Sequence, residues 1–159
     1  MARSLVDLDS LDLSQDVVGE EELRRMLPHQ HEFQLIDGIC HVDVNDGLIV
    51  GYKDWGEDPW WARGHIPGRP LMPGVLMIEG GAQVGTVLMK MTEGWEAERF
   101  IGLGGVDDVR FRGQVLPNSR IYFASRRGQR SGNRMAKYFA QGYCNGKQVM
   151  DMKLLGVLL

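Results

Sequence analysis

At 159 residues, the chain suits one domain rather than two, and a domain of that size buries about 68–70% of the surface its unfolded form exposes. Its balance of 43% hydrophobic and 25% charged residues is that of an ordinary globular protein, and two cysteines, Cys40 and Cys144, are too few for a disulfide framework or a four-cysteine zinc site. No apolar run approaches the roughly 20 residues needed to cross a bilayer, and the opening MARSLVDLDSLDLSQD carries acids where a secretory signal would carry a basic head and an apolar core, so the expected setting is cytoplasmic, with free thiols.

Residues 1–16 lack a sustained apolar period and read as a loose acidic arm ahead of a single domain over 17–159. Over 16–27, EEELRRML predicts a short helix with acids in its first turn and arginines in its last. Pro28 stops it. QLIDGICHVDV and GLIVGYKDW predict two strands joined at Asn45-Asp46-Gly47, a sound hairpin turn. Residues 56–72 form a long loop with Pro59, Pro67 and Pro70, and a loop that long in a small domain usually carries function. The one long helix is predicted over 73–91, with Pro73 at its first position, where a missing N–H costs nothing. RFIGLGGVDDVRFRG, SRIYFASRRG, RMAKYFAQGYC and KQVMDMKLLGVLL then predict four strands, each separated from the next by a turn signal. Strands grouped around a single long helix argue an α+β fold rather than alternating βα units.

The polar residues of that helix, Glu79, Gln83, Thr86 and Lys90, follow one another at intervals of 4, 3 and 4 and so form one stripe. The rest of the helix is apolar or glycine, which predicts burial on nearly every other side. Gly80, Gly81 and Gly85 each cost about 1 kcal/mol relative to alanine in a helix interior. A close approach by another backbone, from a sheet wrapped around the helix or from a partner subunit, is the expected compensation.

The chemistry concentrates in GHIPGRPLMPGVLMIEGGAQ, residues 64–83. A Pro/Gly loop holds His65, a side chain that titrates near neutrality. Nine residues on, a helix begins with unsatisfied N–H groups that can stabilise charge growing on a carbonyl oxygen. Just over a turn into it comes Glu79, whose carboxyl would titrate high if it faced an apolar cavity. Each piece alone also fits a structural or solvent-facing role.

As a whole, the segment strongly resembles the GHFPGxPxMPGVLxxEAxAQ signature of the β-hydroxyacyl-acyl carrier protein dehydratases of fatty acid synthesis. Ile66 replaces the usual Phe, and Gly80-Gly81 replaces Ala-Met. LPHQHEFQLID (27–37) is similar to that family's LPHRYPFLLVD, with Glu32 where proline is usual. DPWWARGH resembles its EPFFxGH, and FIGLGGVDDVRFRGQVLP its FLGIDKARFRRPVVP. The likeness runs over roughly residues 20–159, and the glutamate at 79 matches the branch that only dehydrates. It implies the hotdog fold, an antiparallel sheet wrapped around one long helix, in a homodimer whose active sites take the histidine from one subunit and the glutamate from the other; a trimer of dimers stays open.

The implied reaction removes water from a (3R)-3-hydroxyacyl thioester to give the trans-2-enoyl thioester. His65 is the implied base, Glu79 the proton source and the Gly74 N–H the oxyanion donor, with no metal or organic cofactor. Pro67 would help to aim His65. Trp60, Trp61, Ile66, Leu71 and Met72 are candidate walls of an acyl tunnel, and Gln83 would hold the site by hydrogen bonding. The partner implied is acyl carrier protein, not nucleic acid or a membrane. Charge sorting along the chain fits an acidic partner: residues 1–25 hold seven acids, whereas 110–137 hold eight bases and no acid in a chain of net charge −3. Some of Arg126, Arg127, Arg130 and Arg134 are therefore expected near the tunnel mouth. Two rivals remain on the same fold, an acyl thioesterase and a non-catalytic acyl-binding protein.

Overall fold

The computed structural model describes residues 4–96 and 99–159. The predicted strands appear as β1 (Gly38–Asp43), β2 (Leu48–Trp55), β3 (Ile101–Phe111), β4 (Ser119–Ser131), β5 (Met135–Cys144) and β6 (Lys147–Leu158). All pair antiparallel, in the order β1-β2-β4-β5-β6-β3. The long helix is α2 (Gly74–Thr92), and it packs across β4, β5, β2 and β6. The sheet curls around α2, burying Ile49, Ile121, Phe123, Met150 and Leu154 between them. This is the α+β hotdog arrangement.

Two boundaries differ from expectation for a tertiary reason. The first helix, α1, runs only over Glu20–Met26. Val17 and Val18 instead donate their N–H groups to the Ile39 carbonyl, at 2.7 and 3.3 Å, which adds an extended segment beside β1. Strand β1 begins four residues late because residues His31–Phe33 form a 3-10 turn, and the Leu35 N–H is taken by the Gln83 side chain at 3.1 Å.

The arm is not loose over residues 4–16; its first three residues lie outside the described ones. Val6, Leu8, Leu11 and Leu13 pack on the outer face of the sheet against Cys40, Val50, Ala124 and Tyr143. The Leu5 N–H donates to Gln141 Oε1 at 2.7 Å, and Arg126 donates to the Leu5 carbonyl at 3.1 Å. Irregular leucine spacing conceals this face, because an extended strap need keep neither helix nor strand period.

The α2 glycines face side chains of the chain's own sheet rather than another backbone. A Cβ on Gly80 would lie 2.5 Å from Phe123 Cζ, and one on Gly81 would lie 2.5 Å from Met152 Cε. Phe123 is a rigid ring in the core, whereas the Met152 methyl ends a flexible chain. Gly80→Ala should therefore destabilise by about 1–3 kcal/mol through overpacking, less about 1 kcal/mol of helix propensity. Gly81→Ala should be neutral or stabilising. Urea unfolding of both variants checks the contrast, and equal losses would contradict it.

Candidate active site

The loop over 56–72 is built of tight turns that fix His65. Its backbone N–H donates to the Trp61 carbonyl at 2.8 Å, and the Arg69 N–H to that of Ile66 at 3.0 Å. The Met72 N–H donates to the Val115 carbonyl at 2.8 Å and ties the loop to the connection between β3 and β4. His65 Nδ1 lies 3.0 Å from the Leu71 carbonyl oxygen. A carbonyl only accepts, so Nδ1 carries the proton and the neutral ring has its lone pair on Nε2. A base at this position acts through Nε2.

Ile66, next to it, has φ +53°. A β-branched residue in the left-handed region is strained, and here the strain lies beside the candidate base. Asparagine tolerates that region, so Ile66→Asn should raise the unfolding free energy by about 1 kcal/mol. A fall in the urea midpoint would show that contacts of the isoleucine side chain outweigh its backbone strain.

The α2 N-terminus offers donors. Pro73 is the N-cap, one residue before the expected position, with no side-chain cap. The Leu76 N–H returns to the Pro73 carbonyl at 3.0 Å, while the Gly74 and Val75 N–H groups have no partner among the described residues. A Cβ on Gly74 would lie 2.7 Å from the Phe111 ring, so a larger residue there would have to push that exposed ring aside.

Glu79 is half-buried. Its Oε1 accepts from Gln83 Nε2 at 2.9 Å and lies 3.1 Å from His29 Nε2. Its carboxyl is held below the ordinary range, chiefly by the His29 hydrogen bond, which outweighs the opposing effect of burial, with Gln83 adding in the same direction. The expected upward shift is thus reversed, because the carboxylate faces donors rather than a purely apolar wall. Gln83 is itself fully buried. It also donates to the Phe33 carbonyl at 2.7 Å, and its Oε1 takes the Leu35 N–H. All its bonds go to holding Glu79 and the 33–35 segment.

Glu79, Gln83 and His29 therefore converge, but within the chain no hydrogen bond or ion pair joins His65 to Glu79 among the described residues. Among the candidate tunnel walls, Trp61 and Met72 are core residues, with Trp61 edge-on to Trp55 at 5.6 Å. Trp60 and Ile66 are exposed, Leu71 is half-buried and Pro67 is exposed in the loop. His29 is a site residue that sequence reasoning misses. Its one signal is the LPHQH segment, whose proximity to Glu79 no local spacing encodes. Among the described residues, no group of three or more His, Cys, Asp or Glu side chains is placed to hold a metal ion.

Most of the basic stretch finds acids elsewhere in the chain. Arg112 pairs with Asp151; Arg120 with Asp54, through two bonds of 2.7 and 2.6 Å; and Arg126 with Asp46 at 2.9 Å. Arg127 and Arg130 lie 3.2 and 3.5 Å from the buried carboxylate of Glu93, while Arg134 donates to the Leu158 carbonyl. Glu93 follows the end of α2, roughly 21 Å along the axis from Glu79 at 1.5 Å per residue. Five of the eight bases are thus matched by acids from distant segments, and Arg127 and Arg130 meet theirs at the far end of α2 from Glu79.

The FabA-like domain family matches residues 27–153, most of the chain. The chain belongs to the FabA-like family. That stretch contains His29, His65, Glu79 and Gln83, while the arm and α1 lie outside it. A relative from Clostridium botulinum, named 3-hydroxyacyl-[acyl-carrier-protein] dehydratase FabZ, is 37% identical over 102 residues, covering 64% of this chain and 71% of its own. The FabZ of Xanthomonas oryzae pv. oryzae is 31% identical over 139 residues, covering 87% and 90%. Among solved structures, the dehydratase heterocomplex ApeI:P from Xenorhabdus doucetiae superposes with a TM-score of 0.69 at 18% identity, covering 86% and 90%. A mutant thioesterase from Pseudomonas aeruginosa superposes at 0.64 with 15% identity, covering 93% and 100%. At such identities, both likenesses show the shared hotdog fold of this FabA-like chain and nothing of its reaction.

Proposed function

We propose that this chain dehydrates (3R)-3-hydroxyacyl-acyl carrier protein to the trans-2-enoyl form in fatty acid biosynthesis. The observation that carries the reading is the complementary preparation of two groups on one motif. His65 presents a lone pair at Nε2, and Glu79 has Oε2 without a hydrogen bond among the described residues. In the reaction, His65 Nε2 takes the C2 proton while the thioester oxygen gathers charge against the Gly74 N–H. The C3–O bond then breaks, and the proton on His65 goes to the departing oxygen, so that water leaves. An ionised Glu79 accepts the hydrogen bond of the 3-hydroxyl through Oε2 and holds that oxygen within reach of the imidazole. This replaces the role of proton source expected from sequence, in keeping with the lowered carboxyl pKa.

The two groups meet across a homodimer. Supporting this, no hydrogen bond or ion pair joins His65 to Glu79 among the described residues. The eleven-residue β3 is an edge strand, and Leu103 and Phe111 on it are exposed. An edge strand leaves backbone N–H and C=O groups open to a second copy, and these two apolar side chains would be covered there. No helix of the described chain is long and apolar enough to cross a membrane; with Cys40 and Cys144 both free and buried, we assign the enzyme to the cytoplasm. The test is turnover of a 3-hydroxyacyl thioester followed by chromatography. The enoyl product is expected. Release of free acid and thiol would assign a thioesterase, and tight acyl binding without turnover a binding protein.

A further inference from the structure

One polar contact of the site takes no part in the proton transfers. His29 comes two residues after α1 ends, and Pro28 precedes it. Its Nε2 and the Gln83 amide converge on the same oxygen of Glu79, at 3.1 and 2.9 Å. Oε1 thus has two donors and Oε2 has none among the described residues. His29 Nδ1 is buried without a partner. In the neutral ring the proton therefore belongs on Nε2, where it meets the carboxylate.

Two donors on one oxygen do what a single contact cannot. The terminal torsion of a glutamate is broad and roughly two-fold, so an unrestrained carboxylate exchanges its oxygens. Pinning Oε1 from two directions fixes the carboxyl plane and distinguishes the two atoms. Both contacts also favour the charged form. We propose that His29 is a positioning residue that, with Gln83, pins Glu79 Oε1 and reserves Oε2 as an ionised acceptor for the substrate hydroxyl. This rests on the reading of Glu79 as the group that holds that hydroxyl. Two of the arginines near the pair are matched by acids, Arg24 by Glu20 and Arg25 by Glu21, both at 2.6 Å, so the direct contacts of His29 and Gln83 dominate at Glu79. Arg24, Arg25, His31, Lys90 and Arg99 line the two clefts, of about 360 and 100 Å³, that His29 also lines, and none of the described lining residues is acidic.

The experiment compares the wild type with His29→Ala, His29→Gln and His29→Asn. Glutamine places an N–H near the Nε2 position, whereas asparagine reaches only as far as Nδ1. The Glu79 carboxyl is followed by ¹³C NMR in protein labelled at glutamate carboxyl carbons, with Glu79→Gln to assign its signal. The Ala and Asn variants should titrate at higher pH than wild type, and Gln close to it. Because activity needs ionised Glu79 and is lost as pH falls through its pKa, the acidic limb of kcat should move to higher pH in Ala and Asn. At neutral pH their kcat should fall about 10-fold, the scale of one hydrogen bond to a charged group, with KM little changed, and Gln should restore most of it. Asn carries the comparison where Ala does not fold. An unshifted Glu79 titration in Ala and Asn, or a Gln variant that behaves like them, overturns the proposal. Inactivity of wild type would refute the reaction, whereas the NMR titration still decides the pairing by itself.

Discussion

His65→Ala and Glu79→Gln are each expected to lower kcat for a 3-hydroxyacyl thioester by about 10²–10⁴-fold, the range of a positioned acid–base group. Removing His65 deletes the Nε2 lone pair that the Leu71 carbonyl orients, and the carboxylate of Glu79, held below its ordinary range, is a weaker base. Glutamine at 79 keeps one carbonyl oxygen for His29 and Gln83, so the local structure survives. Its second position becomes either an N–H donor or a neutral acceptor, and the charge that holds the substrate hydroxyl is gone. Because the two side chains act on one substrate in one step, their losses should not add: the double variant should fall little below the worse single one. Near wild-type turnover in either single variant, with circular dichroism confirming the fold, would refute the assigned roles.

Mixing the two inactive variants should restore activity. If each site takes His65 from one subunit and Glu79 from the other, a heterodimer holds one site with both residues intact and one with neither. After full exchange of a two-fold dimer, half of the molecules are heterodimers with one working site of two, so about a quarter of wild-type activity should return. The recovery should follow the rate of subunit exchange, measured by labelling one variant. No recovery after complete exchange would mean that one chain supplies both groups to a site, and the β3 edge would then need another explanation.

The amino-acid sequence by itself determines what local pattern encodes. Pro73 and the apolar, glycine-spaced run after it predict the long helix within one residue of Gly74–Thr92, because helix initiation depends on neighbouring residues. The strands follow from composition between turn residues, and their grouping around one helix argues the α+β class. His65 and Glu79 are legible for a similar reason: they lie on one contiguous motif, fourteen residues apart.

Contacts between distant segments are decided only by the tertiary structure. The eight bases over 110–137 look unopposed in sequence, yet Arg120 meets Asp54 from 66 positions away and Arg126 meets Asp46 from 80. The arm looks loose until the outer face of the sheet provides a surface for its leucines. Trp61 and Met72 are read from sequence as candidate tunnel walls, and packing buries both. Glu79 would titrate high if it faced an apolar cavity, and its carboxyl is instead held below the ordinary range because His29, fifty residues earlier, points at it. Propensity and motif act over a few residues of chain. Charge pairing, burial and the protonation of a carboxyl depend on distance in space, which the antiparallel sheet sets by bringing far-separated segments together.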